Sequence, residues 1–133
     1  MASIHKDIPI DAPAHEVWDA VRDFGALHTR LVPGFVLDTK LDGEARIVSF
    51  ANGSVARELL VDSDDARRRL VYAIHSERLK QHSASVKVVA DGEARCRVEW
   101  TVDVLPHEMA PYISGQMDEG AAAMQKALAR ETV

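Results

Sequence analysis

The chain has 133 residues, 16 Lys and Arg against 21 Asp and Glu for a net charge of -5, 47% hydrophobic residues and one cysteine. That length supports one core rather than two, and the acidic balance argues against a domain that grips a phosphate backbone. Cys96 alone excludes an internal disulfide, no Cys/His spacing fits structural zinc, and no apolar run approaches the ~20 residues that span a bilayer.

Composition and a start without an apolar leader predict one cytoplasmic domain over residues 1–133, with no nucleic acid partner and no membrane insertion. Ile4, Ile8 and Ile10 share one parity and mark a first strand. Asp11 or Ala12 then takes the N-cap of a short helix, with Pro13 in its first turn and Glu16 well placed for the dipole. Val17, Trp18 and Val21 form the buried stripe of that helix; Phe24 extends it and Gly25 permits a break. Residues 26–32 predict a second short helix that ends at Pro33-Gly34.

From there the period changes to two. Asp42-Gly43, Asn52-Gly53 and Asp91-Gly92 are hairpin signals between apolar segments. They divide the region into strands near 35–41, 45–51, 54–62, 68–77, 80–90 and 94–104. In the last, Cys96, Val98, Trp100, Val102 and Val104 lie on one face and polar residues on the other. Asp62, Asp64 and Asp65 beside Arg67-Arg68-Arg69 read as a solvated turn. After Pro106, a long helix from about 108 to 130 carries Met109, Ile113, Met117, Gly120, Met124 and Leu128 on one stripe, with Asp118, Glu119, Lys126 and Arg130 away from it.

The order is an α+β one: strand, two short helices, six strands, long helix. A seven-stranded curved antiparallel sheet must cover its apolar face, and only the terminal helix is long enough. A helix stripe of Met, Gly and Ala is compatible with a cavity between the two, and equally with tight packing against small residues.

The stretch from Ile8 through Pro9, Asp11, Pro13, His15, Val17 and Trp18 to Phe24 resembles the opening of the START/Bet v 1-like (SRPBCC) superfamily, within it the polyketide cyclase/dehydrase branch. Residues 43–48, residues 52–60 and Asp64-Asp65 before a Tyr72-bearing strand follow in the order of that family. The segment 77–82 resembles the loop that closes over ligand in plant abscisic acid receptors, which share the fold. The resemblance spans about residues 3–130 and implies a helix-grip fold whose cavity binds one small hydrophobic molecule: a lipid, polyketide or aromatic metabolite. No nucleophile elbow, phosphate-cradling glycine loop or metal triad is present, so no cofactor and no metal are expected, and the expected state is a monomer or homodimer.

Carried over by position, the resemblance places Arg46 and Glu58 inward on neighbouring strands, and His82 on the pocket wall. It adds Trp100 and Val102 on the inner face of the last strand; Val48 and Phe50, with Ile113, Met117 and Met124 of the helix stripe, complete the expected ligand-binding set. Residues 51–54 stand where the receptors have a mobile gate. This turn lacks their Ser-Gly-Leu-Pro pattern, and Glu77 replaces their His, which argues against a partner-coupled gate.

Two inward charges must pair with each other, with water or with a ligand. Arg46 and Glu58 therefore either orient a polar ligand end, such as a carboxylate or phenolate, or close one end of the cavity as a structural ion pair. His82 either fills a polar niche or serves as a general acid/base. With Glu58 it makes a proton shuttle for the alternative function, a cofactor-free polyketide cyclase, dehydratase or isomerase. Trp18 reads as a core anchor, Trp100 equally as anchor or ligand-stacking surface.

Overall fold

The computed structural model describes residues 2–129. Strand β1 (Ala2–Ile10) leads into helix α1 (Ala14–Arg22), then six strands follow: β2 (Val36–Asp42), β3 (Ala45–Phe50), β4 (Val55–Asp64), β5 (Arg69–His75), β6 (Gln81–Ala90) and β7 (Cys96–Leu105). Helix α2 (Ala110–Leu128) ends the described chain; Arg130, the last residue of the predicted helix, lies outside it. The strands form one antiparallel sheet in the order β1-β7-β6-β5-β4-β3-β2, so only β1 is out of sequence, paired with β7 at one edge. The seven strands and the covering helix are those the patterning predicts.

Each Asx-Gly pair sits at a hairpin. Gly43, Gly53 and Gly92 take φ values of 61°, 91° and 82°, a region open to glycine without the steric cost of a Cβ. The β3–β4 turn is fixed further by Asn52 Oδ1, which accepts from the Ser54 amide at 2.9 Å and from its hydroxyl at 2.6 Å. Along β7, Cys96, Val98, Val102 and Val104 are buried and Arg97 is exposed, as alternation requires. Burying each such aliphatic side chain contributes about 1.5–3 kcal/mol before conformational entropy is subtracted.

The structure differs from expectation in the segment after β1. The cap of α1 is Pro13 itself, with extended backbone (φ -63°, ψ 146°), rather than Asp11 or Ala12. Proline's preset φ suits either place, and its missing N–H costs nothing at a helix start. The predicted second helix is instead a 3₁₀ turn, Phe24–Ala26, followed by a single π turn, Leu27–Leu31. Its ordering comes from burial of Leu27 and Leu31 rather than from a regular helical stripe. Phe24 thus leaves the α1 stripe, which Val17, Trp18 and Val21 keep.

The acidic cluster is also more than a solvated turn. Asp62 and Asp64 belong to β4, and Asp64 Oδ1 accepts from the amides of Ala66 and Arg67. Asp65 Oδ1 accepts from Trp18 Nε1 at 2.9 Å and lies 3.5 Å from Arg22 Nε, tying α1 to the sheet. Trp18 is therefore a core anchor with its indole N–H satisfied.

Two glycines of α2 make opposite predictions. A Cβ at Gly115 meets nothing within 4 Å, so Gly115→Ala stabilises the fold by about 0.5–1 kcal/mol through helix propensity. At Gly120 the same atom lies 3.1 Å and 3.2 Å from Trp100 ring carbons and 3.3 Å from Phe35, so Gly120→Ala brings no such gain. Urea unfolding of the two variants checks the contrast.

Candidate functional site

Sheet and helix enclose a cavity of about 510 Å³. Its wall is mostly apolar: Leu70, Val86 and Val102 from the sheet, Leu31 and Phe35 from the segment before β2, and Ile113, Met117 and Met124 from α2. α2 contributes the flexible thioethers of Met117 and Met124 to this wall, and Gly120 lets the helix approach Trp100 and Phe35 closely at one point.

Nine of the ten residues singled out by position line this cavity: Arg46, Phe50, Glu58, His82, Trp100, Val102, Ile113, Met117 and Met124. Val48 does not; it shares the parity of Arg46 and Phe50 but is wholly buried in the core. Missed were Tyr72, Leu70 and Ile74, which follow from strict alternation along β5, and Met109, Tyr112 and Gln116 near the start of α2.

Arg46 and Glu58 are direct cross-strand partners in the β3–β4 hairpin, both buried. Arg46 Nε donates to Glu58 Oε1 at 2.8 Å, and Nη2 lies 2.7 Å from the same oxygen. Nη1 donates to the carbonyl of Phe24 at 3.3 Å. The guanidinium also lies over the Phe24 ring, 4.0 Å from its centre, and 5.3 Å from the centre of the Tyr72 ring. The 3₁₀ turn that displaces Phe24 from α1 is what brings it to Arg46.

Beyond this pair, Trp100 Nε1 donates to the Tyr72 hydroxyl at 3.2 Å. Burial, reinforced by the Glu58 charge, pushes the Tyr72 phenol well above its ordinary value, so it stays protonated. The His82 ring stands 6.4 Å from that of Tyr72, and its Nδ1 has no hydrogen-bond partner. Burial lowers the His82 pKa from 6.5, with its own backbone acting weakly in the other direction. The imidazole is therefore neutral at pH 7.

That shift fixes a pH dependence. The unfolded chain protonates His82 near its ordinary pKa of about 6.5, while the folded chain resists until lower pH. Between those values the unfolded state binds more protons, so the stability that His82 confers above pH 6.5 is lost as the pH falls towards its folded value. In His82→Gln that part of the acid-side slope disappears, which unfolding free energies measured from pH 8 to pH 5 against the parent will show.

At the rim, Ser54 and Val55 of the β3–β4 hairpin face the connection after β5, with Ser76 and Arg78, and the first turns of α2. Asn52 Nδ2 crosses this rim, donating to Tyr112 Oη and to Gln116 Oε1, each at 3.3 Å. Of the 51–54 segment Ser54 lines the cavity, and of the 77–82 segment Arg78, Leu79 and His82 do. Among the described residues no group of three His, Cys, Asp or Glu side chains is arranged to hold a metal ion, and no helix is long and apolar enough to cross a membrane.

A family model described as polyketide cyclase/dehydrase and lipid transport matches residues 1–131. No curated protein matches the chain in sequence. Among solved structures, an uncharacterised protein from Bacillus thuringiensis is similar at TM-score 0.84 and 21% identity, over 96% of this chain and 98% of that one. The di-domain ARO/CYC protein BexL of the BE-7585A biosynthetic pathway is similar at TM-score 0.81 and 16% identity, over 96% of this chain and 46% of its own. Norcoclaurine synthase from Thalictrum flavum, in complex with dopamine and hydroxybenzaldehyde, is similar at TM-score 0.73 and 18% identity, over 94% and 84% respectively. At these identities the likeness is one of fold, the helix-grip arrangement of sheet and terminal helix.

Proposed function

Because the chain belongs to the polyketide cyclase/dehydrase and lipid transport family, we propose that it binds one small hydrophobic molecule between the sheet and α2. The observation that carries this reading is the cavity: about 510 Å³, walled by aliphatic, thioether and aromatic side chains, with a few polar groups gathered on strands β3 to β7. That combination of bulk apolar wall and sparse, placed hydrogen-bonding groups is what small-molecule sites share. Apolar contact supplies the affinity; the polar groups set orientation.

Native mass spectrometry of freshly purified protein tests it. A retained molecule in the mass range of a lipid, polyketide or aromatic metabolite is the expected result. A bare chain whose melting temperature no fatty acid, flavonoid or polyketide raises would sink the reading.

A second reading has one observation in its favour. His82 is part of the cavity wall and neutral, the protonation state in which an imidazole can act as a general base. A cofactor-free cyclase, dehydratase or isomerase would then use His82, with Glu58, to move protons. In that case His82→Gln loses turnover with affinity retained, whereas a carrier loses affinity and forms no product.

A further inference from the structure

The polar groups of the cavity wall differ in how far they are already committed. Arg46 is spent. Nε and Nη2 converge on Glu58 Oε1, Nη1 is held by the Phe24 carbonyl, and the Phe24 and Tyr72 rings lie over the guanidinium. Its charge is matched by Glu58 within the fold, so an anion entering the cavity finds a carboxylate already seated on the cation it would need. Of the other basic wall residues, His75 and Arg78 are exposed, where an anion would stay in water, and the buried His82 is neutral.

Two uncharged groups are less committed. The Tyr72 hydroxyl accepts from Trp100 Nε1, which leaves its own proton to donate. His82, more than nine-tenths buried, shares no hydrogen bond with another side chain, and its ring is part of the cavity wall. The two rings lie 6.4 Å apart on adjacent strands, and both line the cavity. Buried donors are rarely left unused in native structures, and for the Tyr72 proton the cavity is where a partner can come from.

We propose that the ligand carries an uncharged oxygen, a carbonyl or a phenolic hydroxyl, that accepts a hydrogen bond from the Tyr72 hydroxyl and lies against the His82 ring. This rests on the cavity-binding reading above and narrows it. It also replaces the carboxylate or phenolate that an inward Arg46 suggests from position alone. A carboxylate drawn into this wall would give up its hydration without gaining a free cation, whereas a carbonyl gives up little and gains a donor. Arg46 becomes a positioning residue, fixing Glu58 and bracing the Tyr72 ring.

The test uses three fluorescent probes with one ring system: anthracene, 2-acetylanthracene and anthracene-2-carboxylate, titrated against the full chain. The ketone is expected to bind at least tenfold tighter than either of the others. In Tyr72→Phe it falls to the affinity of anthracene, whose own binding changes less than twofold; in His82→Leu the ketone's advantage shrinks at least threefold. Thermal melts confirm that both variants fold, and two variants keep the outcome readable should one of them not. A carboxylate that binds as tightly as the ketone overturns the uncharged head group and leaves the cavity reading standing. So does a ketone advantage that survives both substitutions. Failure of all three probes to bind overturns the cavity reading, and this inference with it.

Discussion

Arg46→Ala is expected to cost about 3–5 kcal/mol of folding stability, because it strands the Glu58 carboxylate in the interior without its cation. For a chain of this size that corresponds to a fall in melting temperature of roughly 10–20 °C. The loss exceeds that of an ordinary ion pair because the guanidinium serves four neighbours at once: Glu58, the Phe24 carbonyl and the rings of Phe24 and Tyr72. Arg57 and Asp42, 3.5 Å apart and about half exposed, provide the contrast; Arg57→Ala should change stability by less than about 1 kcal/mol. The double variant Arg46→Met with Glu58→Leu removes both charges, and returns to within about 1–2 kcal/mol of the parent or above it. Chemical denaturation of the three variants decides the matter. An Arg46→Ala protein within about 1 kcal/mol of the parent would mean that water reaches Glu58 freely and that the pair does not organise the site.

The register of that pair was within reach of sequence reasoning. Asn52-Gly53 centres the β3–β4 turn, and Arg46 and Glu58 each stand six residues from Asn52, so a tight hairpin there sets them opposite one another. What local sequence did not carry is which neighbours come from far along the chain. Phe24 reaches Arg46 only because the helix stops at Arg22 and a 3₁₀ turn redirects the ring, and no residue in 24–31 signals a π turn. Likewise Asp65 looks like part of a charged loop until α1 brings Trp18 Nε1 to it across 47 positions. Tyr72 is a different case: the alternation of Leu70, Tyr72 and Ile74 was legible, but its hydroxyl matters through Trp100, two strands away in the sheet. Period and turn chemistry are local and fix the strands. The chemistry of the site arises from contacts at long separation, which only the assembled sheet supplies.

The same cavity makes a second large prediction, with the opposite sign for stability. Enlarging a packed core residue normally costs 1–3 kcal/mol. Val86 and Val102 are both buried on the inner face of β6 and β7, yet both border open space. Their replacement by Phe, singly and then together, puts rings into a void rather than into neighbours. We expect the double variant to melt within a few degrees of the parent or above it, while affinity for the ring probes falls at least 100-fold, since the added atoms occupy the volume a ligand would take. Calorimetry and fluorescence titration read the two quantities on one sample. Unchanged affinity would put ligand binding elsewhere than between sheet and helix. A stability loss like that of Arg46→Ala would show that the interior closes on itself when empty, because only a wall already in contact resists added volume so strongly. The two experiments are complementary. Removing a side chain at the polar end tests what holds the cavity together, and adding side chains at its apolar wall tests whether it is open to be filled.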